Sequence, residues 1–182
     1  MPDRLTIHGK GGHGLIVAAA ARLGGLEVRF TDGNDGTAPD PYAPAIIAIG
    51  DNRARQLNDS GTLVNVIHPT AFVDVSARLG RGVFIGPRAV VHVGARVGRG
   101  AIINTGAIVE HDCGVGDWTH LAPGAVLCGS VIIGEGTWVG ANATVIHGVS
   151  IAPWTTIGAG AVVIRDITEP GTYVGNPARK IK

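Results

Sequence analysis

Aliphatic residues recur at every sixth position through the middle and C-terminal parts of the chain. The series runs Ile67, Val73, Leu79, Ile85, Val91, Val97, Ile103, Val109, Val115, Leu121, Leu127, Ile133, Val139, Val145, Ile151, Ile157, Val163, without a miss or a slip. A small residue often stands two places before each (Ala89, Ala95, Ala101, Ala107, Ala125), and Gly often one place after (Gly80, Gly86, Gly98, Gly116, Gly134). A period of six matches neither the 3.6 of a helix nor the alternation of a simple strand. It fits a short strand, a turn, and a return to the same inward direction. Three such units close a triangular coil, and coils stack at the strand spacing of about 4.8 Å, hydrogen-bonded above and below. The aliphatics then fill a prism, and the small residues sit where a larger side chain would crowd the corner. The glycines after the aliphatics are expected to supply the unusual turn dihedrals. The unbroken series supports about five coils.

Ahead of the repeat the pattern changes to that of a small α/β unit. Leu5 to Ile7 predicts a buried strand, Gly9 to Gly14 a glycine-rich turn, and Leu15 to Leu23 a helix. This is the layout of a nucleotide-binding βα unit: glycines let the backbone approach a phosphate, and the helix N-terminus offers free N–H groups. Taken alone, such a turn also describes an α/β domain without a ligand. A second strand, Leu26 to Phe30, runs into Asp32 and Gly33, where an acid suits a ribose or base contact. Residues 37–44 are Pro-rich and irregular. Ala45 to Ile49 predicts a third strand ending at Gly50, Arg53 to Asn58 a short helix, and Leu63 to Ile67 the entry into the repeat. The expected architecture is mixed: a small Rossmann-like α/β lobe over residues 1–62, a parallel β-helix over 63–167, and a tail over 168–182. The lobe is expected to cap one end of the prism, where a bare coil would leave strand edges unpaired.

The composition narrows the partners. A net charge of +1 with only 16% charged residues gives no electrostatic case for nucleic acid or an anionic membrane surface. The 29 glycines follow the repeat, so they do not signal disorder. Cys113 and Cys128, both inside the repeat, suit neither a disulfide framework nor a zinc spacing. Reduced thiols in a cytoplasmic protein are the expectation. No signal-peptide pattern opens the chain, and the longest apolar run, Leu15 to Ala21, is too short to span a bilayer.

Polar residues break the monotony most densely between Asn104 and Cys113, where Glu110, His111 and Asp112 are consecutive. His120 follows half a coil later, so it shares the height of His111 on another side of the prism. Within one subunit the two cannot be neighbours; across a subunit boundary they can meet. Residues one coil apart stack, and one such column reads Val75, Val93, His111, Gly129, His147, Arg165. This arrangement suits acyl transfer from a thioester. A neutral imidazole takes the proton of an attacking amine or hydroxyl, a carboxylate such as Asp112 fixes its tautomer, and the Gly129 N–H can stabilise a tetrahedral oxyanion. A thioester is already activated, so no metal is required. His92 and His147 read as surface residues, the cysteines as small residues of the repeat, and the three tryptophans as packing on corners or between subunits. His13 contacts phosphate or bridges to the β-helix.

The repeat resembles that of the left-handed parallel β-helix (hexapeptide) acyltransferases, and the left hand is implied by that resemblance. Over nearly the whole length the chain is similar to the NeuD/PglD-like sugar O/N-acetyltransferase family. The similarity rests on the Gly11, Gly12, His13, Gly14 turn, Asp32, the run Ala48 to Asn52, Asn104 and Thr105, His111 and Asp112, His120, and the Val174 to Arg179 tail. It implies a homotrimer that moves acetyl from acetyl-CoA to a nucleotide-linked amino sugar. His111 would be the general base and Asp112 the carboxylate that raises its basicity. Gly11, Gly12, His13, Asp32, Gly33 and Gly50 would bind the nucleotide, and Asn104 would sit near the sugar. His120, from a neighbouring subunit, and the Gly129 backbone would lie near the thioester, and Ala141 and Ala159 would line the CoA groove. The expected reaction is N-acetylation of a nucleotide-linked 4-amino-4,6-dideoxy sugar. The alternatives are O-acetylation of sialic acid or a related sugar, and a non-catalytic sugar-nucleotide-binding scaffold. A zinc-dependent hydratase on this fold would need three converging histidines, and the repeat histidines 92, 111, 120 and 147 lack the paired spacing.

Overall fold

In the computed structural model the described residues are 4–31, 43–59 and 62–182. The expected contacts of Asp32 and Gly33, and the Pro-rich segment as far as residue 42, fall outside them. The N-terminal lobe is a three-stranded parallel sheet in which β1 (Arg4–His8) lies between β2 (Glu27–Thr31) and β3 (Ala45–Ile47). Helix α1 (Gly12–Leu23) connects β1 to β2 and buries Val17, Ala18, Ala20 and Ala21 against Leu5 and Ile7. Its start is fixed by a contact only glycine allows, since a Cβ on Gly14 would collide with the Gly9 carbonyl. The second helix, α2 (Asn52–Leu57), is N-capped by Asp51, whose Oδ1 accepts from Ala54 N at 2.7 Å.

The prism follows at once. Two-residue strands run from Val66–Ile67 to Val162–Val163, and each as far as Thr144–Val145 pairs in parallel with the strand one coil later, as in Ile103↔Leu121 and Val109↔Leu127. They form three faces of a left-handed parallel β-helix. The first face contains Phe84–Ile85, Ile102–Ile103, His120–Leu121 and Trp138–Val139. The second contains Val90–Val91, Ile108–Val109 and Val126–Leu127, and the third contains Arg96–Val97, Gly114–Val115 and Ile132–Ile133. The aliphatic series from Ile85 to Val163 is buried in one continuous core, together with the alanines two places before it. The strands make nearly six coils rather than about five, because the 17 aliphatics of the series, at three to a coil, each mark one strand. After the repeat the tail does not stay irregular. Thr172–Val174 adds a rung beside Thr156–Ile157, and Arg179–Lys180 folds back antiparallel on it.

Two expectations are corrected. The glycines one place after each aliphatic are not the source of the unusual dihedrals. Left-handed φ values recur instead three places after each aliphatic, from Gly82 to Gly160, with Arg88, Asp112, Trp118, Ser130, Asn142 and Trp154 taking that position in turn with glycines. The glycines at 80, 86, 98, 116, 134 and 140 serve a different need: a Cβ there would lie under 3 Å from backbone of the next coil. The second correction concerns the lobe, which does not cap the end. It packs along the first face, where α1 and the sheet share a core with Val66, Phe84 and Ile102, the outward residues of three successive rungs. Ile67, at the N-terminal end of the series, accordingly remains 42% exposed.

Helix α2 fastens this arrangement to the corner between the third and first faces. Arg55 is fully buried and donates to the carbonyls of Gly100 (2.7 Å), Trp118 (2.7 Å), Ile49 (2.8 Å) and Gly50 (3.1 Å), and to Asn52 Oδ1 (2.8 Å). Asn52 in turn donates to the carbonyls of Gly136 (3.0 Å) and Thr137 (3.2 Å). Gln56 bonds Glu135 at 2.7 Å, and the Arg53 guanidinium lies 3.6 Å from the centroid of the Trp154 ring. Trp118 and Trp154 thus stand on this corner, while Trp138 points outward from the first face beneath His120.

Candidate active site

His111 and Asp112 form the corner between the second and third faces, after strand Ile108–Val109 and before Gly114–Val115. Asp112 takes the left-handed position with φ 59°, a conformation its short polar side chain tolerates. That turn directs its carboxylate back to the preceding residue, and Oδ2 lies 2.9 Å from His111 Nδ1. Two glycines make room for the pair, one in the coil before and one in the coil after. A Cβ on Gly94 would press on Asp112 Oδ1, and a Cβ on Gly129 would overlap the His111 ring at Nε2 and Cε1. With Nδ1 engaged by the carboxylate, Nε2 is the ring nitrogen left for chemistry. The Gly129 N–H beneath it has no protein acceptor among the described residues. The other exposed imidazole in the column, His147, has its ring centroid 6.3 Å from that of His111.

A second cluster lies between the lobe and the first face. His120 points outward from its strand, yet the lobe covers it to 5% exposure. Its ring sits 4.2 Å from Trp138 and 6.0 Å from His13, centroid to centroid, and His13 meets Phe84 edge-on at 5.3 Å. Hydrogen bonding sets the tautomer of His120. Thr105 N–H donates to Asn104 Oδ1 at 2.8 Å, which turns the Asn104 amide nitrogen to His120 Nε2 at 3.1 Å. His120 therefore carries its proton on Nδ1 and donates it to the Gly50 carbonyl at 3.3 Å, the same oxygen that accepts from Arg55. Burial, reinforced by the nearby Arg55 charge, pushes His13 down to about 4. Burial and then Arg55 push His120 to about 3, against the opposing bond to Gly50. Both imidazoles are neutral under ordinary conditions.

One chain therefore brings His13, Gly50, Asn104 and His120 together, with Gly11 and Gly12 at the start of α1 facing open space. It does not bring His111 to His120, which lie on different parts of the prism. Ala141 and Ala159 lie on a third line, the corner between the first and second faces, with Gly160 N–H donating to the Ala141 carbonyl at 2.8 Å. Sequence reasoning missed Arg55 and the covering of His120. A signal for the cover was present: the outward residues before His120 on its face, Val66, Phe84 and Ile102, are all large and apolar. Cys113 is no nucleophile, since burial pushes its thiol up to about 11 and its Sγ–H is taken by the Cys128 carbonyl at 3.1 Å. Among the described residues, no group of three or more His, Cys, Asp or Glu side chains is placed to hold a metal ion, and no helix is long and apolar enough to cross a membrane.

Two family models match the repeat: the bacterial transferase hexapeptide (six repeats) over residues 130–165, and the hexapeptide repeat of succinyl-transferase over residues 77–116. Among solved structures, the acetyltransferase domain of PglB from Neisseria gonorrhoeae FA1090 is 32% identical, with 99% of this chain and 100% of that chain covered and a TM-score of 0.93. Its complex with acetyl coenzyme A matches at a TM-score of 0.91, over 100% of both chains. PerB from Caulobacter crescentus, in complex with CoA and GDP-perosamine, is 35% identical over 100% of this chain and 98% of that chain, with a TM-score of 0.90. No curated protein matches the sequence.

Proposed function

As this chain belongs to the acetyl-CoA-dependent sugar N-acetyltransferases of the hexapeptide-repeat family, we propose that its acceptor is the amino group of a nucleotide-linked 4-amino-4,6-dideoxy sugar and that His111 is the general base. The observation that carries the base is the corner geometry: Asp112 on Nδ1, and Nε2 over a glycine whose N–H has no acceptor among the described residues. His111 Nε2 takes the proton of the attacking amine as nitrogen bonds to the thioester carbon. The developing imidazolium is stabilised by Asp112, and the Gly129 N–H donates to the oxyanion. Collapse of the tetrahedral intermediate breaks the C–S bond, and His111 returns the proton to the departing thiolate. Likeness to PerB, a complex of which holds a nucleotide-linked amino sugar, supports an amine acceptor over a hydroxyl.

The proposed enzyme is a homotrimer. The outward residues of the second face are Phe72, Val90, Ile108, Val126, Thr144 and Val162, a nearly continuous apolar stripe. This face lies between the corner that carries His111 and the corner that carries Ala141 and Ala159. Packing second faces around a threefold axis sets the His111 corner of one chain beside the Ala141–Ala159 corner of the next, within reach of that neighbour's His120 and lobe. The donor would then occupy the groove between chains and the sugar nucleotide the lobe, with Gly11, Gly12, His13, Asp32, Gly33, Gly50 and Asn104 on the acceptor side. The proposed location is the cytoplasm, where acetyl-CoA and sugar nucleotides are made.

The test is thiol release from acetyl-CoA with a panel of UDP-, GDP- and dTDP-linked 4-amino-4,6-dideoxy sugars, and sialic acid as a control. Turnover with one amino sugar is expected. Turnover with sialic acid alone would overturn the amine acceptor.

A further inference from the structure

The column that holds His111 places a second imidazole beside the same glycine. Ser130 N–H donates to the His111 carbonyl at 2.9 Å and Gly148 N–H to the Gly129 carbonyl at 3.0 Å, so the corners of His111, Gly129 and His147 lie directly over one another. Corners two rungs apart are separated by about 9.6 Å. The His111 and His147 rings nevertheless come to 6.3 Å, centroid to centroid, with their planes inclined at 44°. The two side chains therefore lean toward each other across the bare backbone of Gly129, where a Cβ would meet the His111 ring. The two rings are equipped differently. His111 is followed by Asp112, whose carboxylate engages Nδ1, whereas the left-handed position after His147 is Gly148, with φ 72°. His147 is exposed, and among the described residues neither of its ring nitrogens has a hydrogen-bond partner.

We propose that His147 is a second oxyanion donor in acetyl transfer, its ring N–H completing the site that the Gly129 N–H begins. A neutral imidazole carries one N–H in either tautomer. With no carboxylate to raise its basicity, His147 is suited to donate a hydrogen bond rather than to take a proton. A single backbone N–H leaves the other lone pairs of the oxyanion to water, and a side-chain donor from the next rung replaces that water with a fixed dipole. As the amine nitrogen bonds to the thioester carbon, the carbonyl π pair moves onto oxygen, which accepts from Gly129 and from His147. Re-forming the C=O bond breaks the C–S bond, and the thiolate takes the proton that His111 holds. His147 keeps its own proton throughout, so it lowers the barrier without entering the proton balance. The inference rests on His111 and Gly129 acting as base and first oxyanion donor.

The experiment measures thiol release from acetyl-CoA by the full-length protein and its His147→Phe, His147→Gln and His147→Asn variants, with whichever of the UDP-, GDP- and dTDP-linked 4-amino-4,6-dideoxy sugars the native chain turns over. Phenylalanine keeps a ring without a donor, and the Gln and Asn amides reach the places of Nε2 and Nδ1. Expected are a kcat lower by about a hundredfold in His147→Phe, as for loss of one oxyanion donor, and recovery to within about tenfold of the native rate in one of the amide variants. The inhibition constant for CoA, which has no carbonyl, should be unchanged in all three. A native kcat in His147→Phe, a loss that neither amide recovers, or weakened CoA inhibition in place of a kcat effect overturns the proposal. The reading beneath it fails differently: a native chain silent across the panel overturns acetyl transfer and this proposal together. Native turnover in His111→Ala removes the base, and the donor pattern at His147 is still read from the amide variants.

Discussion

His111 occupies the space that a side chain on Gly129 would take. The imidazole of one coil lies over the bare backbone of the next, so that a single added methyl group would overlap Nε2 and Cε1. The proposed base and the proposed oxyanion donor are thereby brought together by a stacking repeat, with no loop needed to position either.

Gly129→Ala tests that relationship. Gly129 does not require a left-handed φ, so the backbone accepts alanine, and the strain falls on the His111 ring. The thermal midpoint should change little. The kcat should fall about a hundredfold, the scale expected when a catalytic group is displaced by an ångström. Near-normal turnover would show that the ring does not work from this position.

Asp112→Asn keeps the side-chain size and a residue type tolerant of the left-handed corner, but removes the carboxylate from His111 Nδ1. A loss of about a hundredfold in kcat is expected, less than for a buried triad carboxylate because Asp112 is exposed. An equal rate in the two proteins would leave Asp112 a turn residue.

The neutral pair His13 and His120 makes the lobe contact sensitive to acid. Both are held below the ordinary imidazole value of 6.5, at about 4 and about 3. The unfolded chain therefore binds more protons than the folded one between those limits, and stability falls as pH drops from 6.5 toward 3, with no contribution above 6.5. Unfolding midpoints measured across that range should decline in the native chain and decline less in a His13→Gln, His120→Gln variant. Parallel curves would locate the acid sensitivity elsewhere.

Asn104→Asp replaces the donor facing His120 Nε2 with an acceptor. The carboxylate favours a protonated ring, so the His120 pKa should rise well above about 3 in a histidine NMR titration. An unmoved value would show that the amide does not set the tautomer.

Arg55→Ala should be severe. It leaves the carbonyls of Gly100, Trp118 and Ile49 without their guanidinium and opens a cavity between lobe and prism, a loss on the order of 3–5 kcal/mol. Lysine cannot satisfy the same forked set of acceptors and should recover little. Denaturant unfolding and limited proteolysis of the lobe would show the change; a stable Arg55→Ala lobe would contradict the fastening role.

The prism was legible because its core repeats. Each aliphatic from Ile85 to Val163 returns to the interior, and the coil length follows from three such returns, which also stacks His111 over Gly129. The glycine pattern was misread because two positions in each turn favour glycine for different reasons. Gly98 is required by close backbone approach, whereas the left-handed position two residues later is filled by Gly100 in one coil and Trp118 in the next. The position of the lobe was not legible from strand and helix signals, since either an end or a face of the prism offers apolar surface. The contacts that decide it come from Arg55 and Asn52, residues whose acceptors are corner carbonyls with no sequence signature. The cover over His120 was hidden for the same reason: the repeat places it outward, and only the lobe buries it.

The most direct test of the central claim compares the native chain with His111→Ala in thiol release from acetyl-CoA, using whichever nucleotide-linked amino sugar supports turnover. The side chain projects from the prism, so the variant should keep its circular dichroism and unfolding midpoint. The predicted result is a kcat lower by about a thousandfold with little change in the KM for acetyl-CoA. Turnover within a few-fold of the native rate would contradict His111 as the base.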